Sequence, residues 1–339
     1  MTAVVILNWN GAAMLRRFLP TVVRHTAGAD IIVADNASTD NSLQVLREEF
    51  AGVRVITLPQ NYGFAEGYNK AFEALRDEGY THYVLLNSDV EVTPDWLSPL
   101  TACLDAHPDV AACQPKVLAH YAPERFEYAG AAGGYIDRDG YPFCRGRLFG
   151  RVERDEGQYD QSADIFWATG AALVIRREDW EGAGGLDGRF FAHDEEIDLC
   201  WRLRSRGRRI VCVPESVVLH VGGGTLPKDN PRKTYLNFRN NLLMLYKNLP
   251  EDRLASVMRR RRWLDAVAWC RFVFTGDWGN AKAIRRARRD YRRMRADFVR
   301  ERAENLRLTT VTHIAEIYDH SLLSAYYLRR KRTFSALNF

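Results

Sequence analysis

The N-terminal quarter of the chain alternates short apolar runs with amphipathic segments, and this alternation limits the folds open to it. Strands are predicted at 3–7, 31–34, 53–58 and 83–86, and helices at 12–23, 42–50 and 65–78. Strands and helices that alternate at this interval form right-handed βαβ units around a mostly parallel sheet. We therefore predict an α/β fold in which helices cover both faces of the sheet.

Polar side chains stand directly after three of these predicted strands. They are Asn8 and Asn10, then Asp35 and Asn36, then Asn87 and Asp89. In open α/β sheets, ligands bind at the carboxyl ends of the strands. The sequence therefore predicts a ligand site at this edge.

The rest of the chain has a less regular pattern. Residues 119–164 are rich in Gly and Tyr without a clear period, which predicts loops and short strands that form an acceptor-side lid. A helix is predicted at 194–206 and a strand at 209–214, and a second strand-like run ends at His220. The last strong helical pattern begins at Tyr235.

The charge distribution separates a tail from the remainder. Residues 251–339 carry 21 basic and 10 acidic side chains, whereas residues 1–250 carry 27 and 33. We predict one large domain at 1–250, followed by a helical, basic extension. Such an extension can meet anionic lipid, nucleic acid or only water.

An apolar stretch in this tail, residues 263–274, contains Trp and Phe but is too short for a bilayer span, which needs about 20 residues. Arginines flank it at 259–262 and 285–289, which is typical of an element lying on an anionic leaflet. Packing against the catalytic domain is the alternative. We predict no nucleic-acid partner, because the aromatic residues form one block instead of alternating with the basic ones.

Cysteine usage and the N-terminus bear on the compartment. The six cysteines show no Cys-x-x-Cys spacing, which predicts neither a zinc site nor a disulfide framework. The first strand begins without a basic segment or a cleavage site before it. We therefore expect a cytoplasmic protein, with peripheral attachment to the inner face of the cytoplasmic membrane as a hypothesis.

Several residues can bind a cation or phosphate. Asp89 lies in a turn after an apolar strand, where a carboxylate is a natural ligand for Mg2+ or Mn2+, although a surface turn also explains it. His220 precedes Gly223 and Gly224, whose N–H groups can meet a diphosphate, with a structural histidine as the alternative. A basic helical segment offers further phosphate contacts through Lys233, Arg239 and Asn240, unless it is simply solvated.

Four carboxylates lie within five positions: Asp194, Glu195, Glu196 and Asp198. This crowding is costly unless some of them bind a cation, face water or cap a helix, as Asp194 is placed to do. On a helix, Glu195 and Asp198 share a face, and Glu196 projects about 100° away. We expect at least one to be catalytic. Arg202 lies four residues after Asp198, the spacing of a helical ion pair, with a substrate contact as the equal alternative, and we assign it no catalytic part.

Five segments resemble, in order and spacing, the inverting family 2 glycosyltransferases of the GT-A fold. They are VVILNWNG, VADNASTDNS, NYGFAEGYNKA, YVLLNSDVEV and FFAHDEEIDLCWRLRSRGRRIVCVPESVVLHVGGGT. The resemblance covers residues 3–250 and implies a glycosyltransferase domain at 1–250, with a donor half at 1–118 and an acceptor half at 119–250. It points to bacterial enzymes of cell-surface polysaccharide assembly, often rhamnosyltransferase-like. It implies a Rossmann-like sheet and transfer from a UDP- or dTDP-sugar, such as dTDP-rhamnose, to a hydroxyl of a glycan or polyprenyl-diphosphate-linked acceptor.

The resemblance also implies roles for individual residues. Asp35 reads the nucleobase, and Asp89 binds the metal, with His220 close to metal and diphosphate. Glu196 matches the second acid of the family's Glu-Asp pair and is the expected base, with Glu195 beside it. The family's metal motif has Asn at its first position here. The expected donor contacts are Asn8, Trp9, Asn10, Asp35, Asn36, Asn61, Gly63, Asn69, Asn87 and Ser88.

Two other functions stay open on the sequence. A sugar-phosphate nucleotidyltransferase shares the layout, but its Gly-rich N-terminal loop with Arg and Lys is missing from NWNGAAM. A catalytically silent, membrane-associated binding protein of a polysaccharide assembly complex is favoured by Asn87. It is opposed by Asp89, Glu196 and His220.

Overall fold

The computed structural model describes residues 1–222 and 230–338 and contains two β-sheets. The strands are β1 Thr2–Asn8, β2 Ala29–Asp35, β3 Arg54–Thr57, β4 His82–Asn87, β5 Val90–Val92, β6 Val110–Ala119, β7 Ala122–Phe126, β8 Gly134–Asp137, β9 Pro142–Cys144, β10 Arg147–Leu148, β11 Arg151–Val152, β12 Ala163–Asp164, β13 Ala172–Arg176, β14 Arg209–His220 and β15 Ile317–Tyr318. The helices are α1 Ala12–His25, α2 Ser42–Glu49, α3 Gly63–Ala74, α4 Ser98–Ala106, α5 Arg177–Ala183, α6 Glu195–Ser205, α7 Pro231–Asn248, α8 Glu251–Phe274, α9 Trp278–Met294 and α10 Val299–Arg307.

The larger sheet brings the polar loops to one edge. Its strands β4, β1, β2 and β3 are neighbours in that order and run parallel. Strand β13 lies antiparallel between β4 and β6, and β14 continues parallel to β6. The carboxyl ends of β1, β2, β4 and β14 therefore meet at one edge, together with the start of β13. The predicted α/β fold with a Rossmann-like central sheet is confirmed.

Apolar side chains cover both faces of this sheet. In β1, Ala3 and Val5 belong to one buried cluster, while Val4 and Ile6 belong to the other. Successive side chains of a strand point to opposite faces, so a run of apolar residues is buried only when both faces are covered. The run that predicted β1 therefore also accounts for the layered packing.

Strand β14 differs from its prediction. It was expected to end at Pro214, with a separate strand leading to His220, but one strand runs through both. Pro has no N–H to donate to a neighbouring strand, and the pairing with β6 shifts between Val213 and Val217. This bulge accommodates Pro214 without ending the strand.

The second sheet combines the middle of the chain with its C-terminal part. Strands β8 to β11 come from the segment predicted to be irregular, and β15 adds to β8 in parallel. The N–H of Leu322 donates to Asp137 at 2.8 Å, and the Phe334 and Tyr135 rings lie 4.9 Å apart. The domain boundary at residue 250 stays a prediction, although the chain beyond it completes this sheet. Within the described ranges, no helix combines the length and apolarity needed to cross a bilayer.

Candidate active site

Strands β4 and β14 bring three predicted donor-side residues together. Because β14 pairs with β5, His220 stands opposite Val90 and reaches the turn after β4. Its Nε2 lies 3.2 Å from Oδ1 of Asp89 and 3.5 Å from Nδ2 of Asn87. The N–H of Val221 donates to the Asp89 carbonyl at 3.1 Å. The three side chains form one cluster at the sheet edge.

Glu127 is not predicted from the sequence and lies on the other side of His220. Its Oε2 is 3.3 Å from Nδ1 of His220 and also accepts the N–H of Ala129. Burial alone would lower the pKa of His220, but hydrogen bonds and charge from Asp89 and Glu127 raise it to about 10. The sequence reflects the position of Glu127 at Gly222, because a Cβ at Gly222 would lie 2.5 Å from Oε1 of Glu127.

This cluster fits a divalent cation that takes most of its ligands from a substrate. Among the residues that the structure describes, no three Asp, Glu, His or Cys side chains are arranged to hold a metal ion by themselves. Asp89 nevertheless offers an oxygen beside the amide of Asn87, and Nε2 of His220, 3.2 Å away, can act as a second ligand once a cation displaces its proton. Mg2+ usually takes one or two protein carboxylates and completes its shell with phosphates and water. The metal-binding roles of Asp89 and His220 stay predictions.

Asn8 and Asp35 form a buried polar pair at the ends of β1 and β2. Nδ2 of Asn8 donates to Oδ1 of Asp35 at 3.0 Å and to Oγ of Ser38 at 3.2 Å. Oδ1 of Asn8 has no hydrogen-bond partner among the described residues and faces Gly11, where a Cβ would lie 2.3 Å away. Oγ of Ser88 is 3.8 Å from that Cβ position. The loops after β1 and β4 are thus neighbours, as predicted.

The loop after β1 exposes Trp9 and turns at Asn10. Asn10 has a φ of 51°, in the left-handed region that Asn tolerates better than most residues. Its Oδ1 accepts the N–H groups of Thr39 and Asp40 at 2.7 and 3.2 Å. Asn10 therefore braces the loop after β2, and the Trp9 ring, 49% exposed, is the open part of this loop.

Three other predicted donor contacts hold α3 in place. Nδ2 of Asn36 donates to the Gly63 carbonyl at 2.9 Å, and Oδ1 of Asn61 accepts the Gly63 N–H at 2.8 Å. Asn69 donates to the Leu186 carbonyl at 2.7 Å and accepts the Leu186 N–H at 3.0 Å. Protein groups thus engage the amides of Asn36, Asn61 and Asn69. Their contacts to a donor stay predictions.

A strap, residues 190–194, leads into α6 through an unusual backbone. Phe191, His193 and Asp194 have φ values of 67°, 73° and 67°. Such conformations cost about 1–3 kcal/mol each and persist only where surrounding contacts fix them. The Phe191 carbonyl accepts an N–H from the first turn of α3 at 2.8 Å. Its ring covers Gly63, where a Cβ would lie 2.5 Å from the ring.

Helix α7 supplies further contacts to the strap. Nδ2 of Asn240 lies within 2.7 to 3.0 Å of the carbonyls of Phe190, Ala192 and His193. Arg239 is buried and donates to the Phe190 carbonyl and to Oδ1 of Asn240, both at 2.8 Å. A contact between Arg239 and a diphosphate would have to replace these bonds. Its diphosphate role stays a prediction.

Four consecutive side chains, two at the end of the strap and two at the start of α6, each have a buried polar atom without a hydrogen-bond partner among the described residues. These atoms are Nε2 of His193, Oδ2 of Asp194, Oε2 of Glu195 and Oε2 of Glu196. Buried polar groups are nearly always paired, so these four atoms are available to water, an ion or a ligand. Asp194 occupies the predicted N-cap position, but its side chain makes no capping hydrogen bond.

Burial shifts the pKa values of these four side chains. It raises the pKa of Glu196 to about 7. It raises the pKa values of Asp194 and Glu195 well above their ordinary range, and the charge of Glu196 adds to both shifts. Burial and the nearby charge of Lys233 lower the pKa of His193 to about 4. Glu196 is therefore the carboxylate of this cluster that ionises near neutral pH.

Glu196 lies at the same sheet edge as Asp89. A Cβ on Gly170, in the loop before β13, would stand 4.0 Å from Cβ of Glu196. The carbonyl of the next residue, Ala171, accepts the N–H of Asn87 at 3.0 Å. This loop connects the acidic cluster with the Asn87-Ser88-Asp89 turn.

Asp198 belongs to a separate buried network. It is fully buried and accepts hydrogen bonds from Arg202, Lys247 and Asn248 at 3.0, 2.8 and 2.8 Å. Nζ of Lys247 also lies 2.8 Å from Asp187. The predicted ion pair with Arg202 is confirmed. The network fixes α6 against α7 and so positions the carboxylates at the start of α6.

The remaining predicted diphosphate contacts lie at the start of α7 and before it. Gly223 and Gly224 are outside the described residues. Lys233 lies in the first turn of α7, near enough to His193 for its charge to affect that side chain. A role for Lys233 toward phosphate stays a prediction.

Residues 3–154 match Glycosyl transferase family 2. This match covers a little under half of the chain. The chain is 27% identical over 192 residues to the O-antigen biosynthesis protein RfbC of Myxococcus xanthus, which is 56% of this chain but 15% of that protein. It is 25% identical over 229 residues to N-acetylglucosaminyl-diphospho-decaprenol L-rhamnosyltransferase of Mycobacterium tuberculosis, covering 64% of this chain and 75% of that enzyme.

Solved glycosyltransferase structures share the fold at low identity. GalNAc-T7 with UDP, GalNAc and Mn2+ superposes with a TM-score of 0.55 and 18% identity, over 73% of this chain and 48% of that one. The mannosyltransferase PcManGT from Pyrobaculum calidifontis, with GDP-Man and Mn2+, gives 0.51 and 15%, over 90% and 86%. These likenesses confirm the predicted GT-A fold.

Proposed function

We propose that this protein is a family 2 glycosyltransferase, metal-dependent and inverting, that moves a sugar from a nucleoside diphosphate to a hydroxyl of a glycan or lipid-linked acceptor. The observation that carries the proposal is the set of unpaired, buried carboxylates at the same sheet edge as Asp89 and His220. An acid–base group beside an anion site is what this displacement requires.

The donor would lie along the ends of β1, β2 and β4. The buried Asn8–Asp35 pair and the exposed Trp9 ring are available to the nucleoside. Asp89 and His220, with Asn87 beside them, would hold Mg2+ or Mn2+ together with the diphosphate. When bound, the cation neutralises negative charge on the departing nucleoside diphosphate.

The acceptor proton would go to Glu196. The acceptor oxygen attacks the anomeric carbon, the bond from that carbon to the diphosphate oxygen breaks, and Glu196 takes the hydroxyl proton. A base works best when its pKa lies near the operating pH. Burial and the charge of Glu196 raise the pKa values of Asp194 and Glu195 well above their ordinary range, which favours the protonated form of these two side chains.

The similar mycobacterial protein, named for transfer of L-rhamnose to a polyprenyl diphosphate, favours the same classes of substrate here. We assign the donor to UDP- or dTDP-sugars, dTDP-rhamnose first. The acceptor is assigned to polyprenyl-diphosphate-linked sugars of cell-surface polysaccharide. Such an acceptor places the enzyme on the cytoplasmic face of the membrane.

Paired substitutions at the two glutamates test the base. We expect Glu196→Gln to lower turnover about 10²–10⁴-fold, the usual contribution of a general base, while the donor dissociation constant changes little. Glu195→Gln removes no charge if Glu195 is protonated, so it serves as the matched control and should retain most turnover. Nucleotide release and donor calorimetry, with UDP-, GDP- and dTDP-sugars, provide the two measurements. Near-normal turnover in Glu196→Gln would refute the assignment.

A further inference from the structure

Helix α8 carries large apolar side chains on its solvent side, in addition to Val257, which it buries against the protein. Trp263, Val267 and Phe274 are 76%, 67% and 88% exposed. On the opposite side, Arg261 and Asp265 are buried and paired with each other at 3.4 Å. Soluble helices normally bury the apolar stripe and expose the charges. The arrangement in α8 indicates that its outer side meets something apolar.

The three exposed side chains form one continuous stripe. At about 100° per residue, Trp263, Val267 and Phe274 project within about 40° of one another. Trp278, at the start of α9, follows Phe274 after a short turn and is 58% exposed. We call these four residues the apolar stripe.

Positive charge borders the apolar stripe on both sides. By the same helical geometry, Arg259 and Arg262 lie on one side of it and Arg271 on the other, and all three are exposed. None of the three forms an ion pair with a described residue. Between residues 253 and 276 the only acidic residue is Asp265, which is fully buried. In the first turn of α8, Asp252 is exposed and projects within about 20° of Trp263, so the outer side carries these three arginines and one carboxylate.

We propose that the apolar stripe and its arginines are the surface by which the protein lies on an anionic lipid membrane. Helices that bind at the headgroup boundary of a membrane typically combine Trp and Phe side chains with neighbouring arginines. A second copy of the chain fits less well, because its own Arg259, Arg262 and Arg271 would face the same positive charges. The biological role of this surface rests on the proposed function, in which the acceptor is lipid-linked. Binding to vesicles can nevertheless be measured without donor or acceptor.

Vesicle co-sedimentation of the full chain tests the surface. The vesicles contain phosphatidylcholine alone or with added phosphatidylglycerol. We expect binding to the anionic vesicles that weakens with salt, because exposed charges are screened. A variant with Trp263→Ser and Phe274→Ser should lose at least about tenfold in partition coefficient. A variant with Arg259, Arg262 and Arg271 changed to Gln should lose about a hundredfold, at about a fivefold factor for each arginine.

Two matched controls exclude general effects of hydrophobicity and charge. Val299→Ser with Leu328→Ser removes exposed apolar side chains outside α8 and α9. Changing Arg24, Arg47 and Arg151 to Gln removes the same net charge from exposed positions elsewhere. Both control proteins should bind like the unmodified chain.

Three results would overturn the inference. The first is an unmodified chain that does not bind anionic vesicles, and the second is a stripe variant that binds as well as its control. The third is a dimer in gel filtration that the stripe variants convert to monomer, which would assign the surface to a second copy. A chain that binds vesicles yet transfers no sugar would contradict the proposed function alone.

Discussion

Replacing Lys247 by Met tests how the helix that carries the catalytic carboxylates is held. Nζ of Lys247 lies 2.8 Å from Asp187 and 2.8 Å from Asp198, and all three side chains are at least nine-tenths buried. Each contact is worth roughly 6 kcal/mol of Coulomb attraction at an effective dielectric constant of about 20, before the cost of burying the ammonium. Removing one partner of a buried pair typically costs about 3–5 kcal/mol.

The lower end of that range applies here. Arg189 stays 2.7 Å from Asp187, and Arg202 stays 3.0 Å from Asp198, so each carboxylate keeps one cation. Met fills much of the space of the lysine side chain, which limits any cavity. We therefore expect a loss of about 3 kcal/mol in the free energy of unfolding, which lowers the urea midpoint by about 1 M for an m-value of about 3 kcal/mol/M.

Urea unfolding followed by fluorescence, with Lys70→Met as control, measures this effect. Lys70 also contacts two carboxylates, Glu66 at 3.8 Å and Glu73 at 2.9 Å, but all three are exposed to solvent, so its loss should barely move the midpoint. If Lys247→Met moved the midpoint no further than Lys70→Met, the buried network would not contribute as argued.

The sign of the pH dependence gives a second check on the same variant. Burial alone would raise the pKa of Asp187, but the Arg189 hydrogen bond and the Lys247 charge hold it well below its ordinary value. Stability from such a carboxylate is present above its unfolded pKa, near 4, and is lost as pH falls through the folded pKa. The difference between the unmodified chain and Lys247→Met should therefore shrink below about pH 4.

Further expectations concern the site. Turnover should rise with pH through about 7, where Glu196 ionises, and a pH-independent rate from pH 5 to 9 would contradict this. Glu127→Gln removes the charge facing His220 and should weaken Mn2+ activation about 10–100-fold in a metal titration. Chelation should abolish turnover, and added Mn2+ should restore it. Gly63→Ala should cost about 1–2 kcal/mol in thermal unfolding, because its φ is 75° and the Phe191 ring fills the space.

The sequence predicted the parallel part of the sheet well, because each element there has a local signal. The run at 3–7 became Thr2–Asn8, the helix at 12–23 became Ala12–His25, and the polar residues after these strands do meet at one edge. Periodicity and strand-end position suffice for such elements, since they depend on near neighbours in the chain.

Contacts between residues far apart in the sequence were not predicted, because they leave no pattern among near neighbours in the chain. Glu127 approaches His220 from a segment without a period, and β15 joins β8 across most of the chain. Asp198 shares a helical face with Glu195, yet Lys247 and Asn248 on another helix engage its carboxylate away from the site. Spacing along one element cannot reveal which neighbour packs against it.

The pairing of β15 with β8 also limits how this protein can be divided or recombined. A chain cut after α7 would leave the second sheet without one edge strand and remove the partner of Asp137 at Leu322. A fusion that exchanged the segment after Pro250 for that of a relative would have to supply a matching strand and matching aromatic side chains. We therefore expect recombination among such proteins to replace this segment together with the middle of the chain. When the segment changes alone, we expect single substitutions.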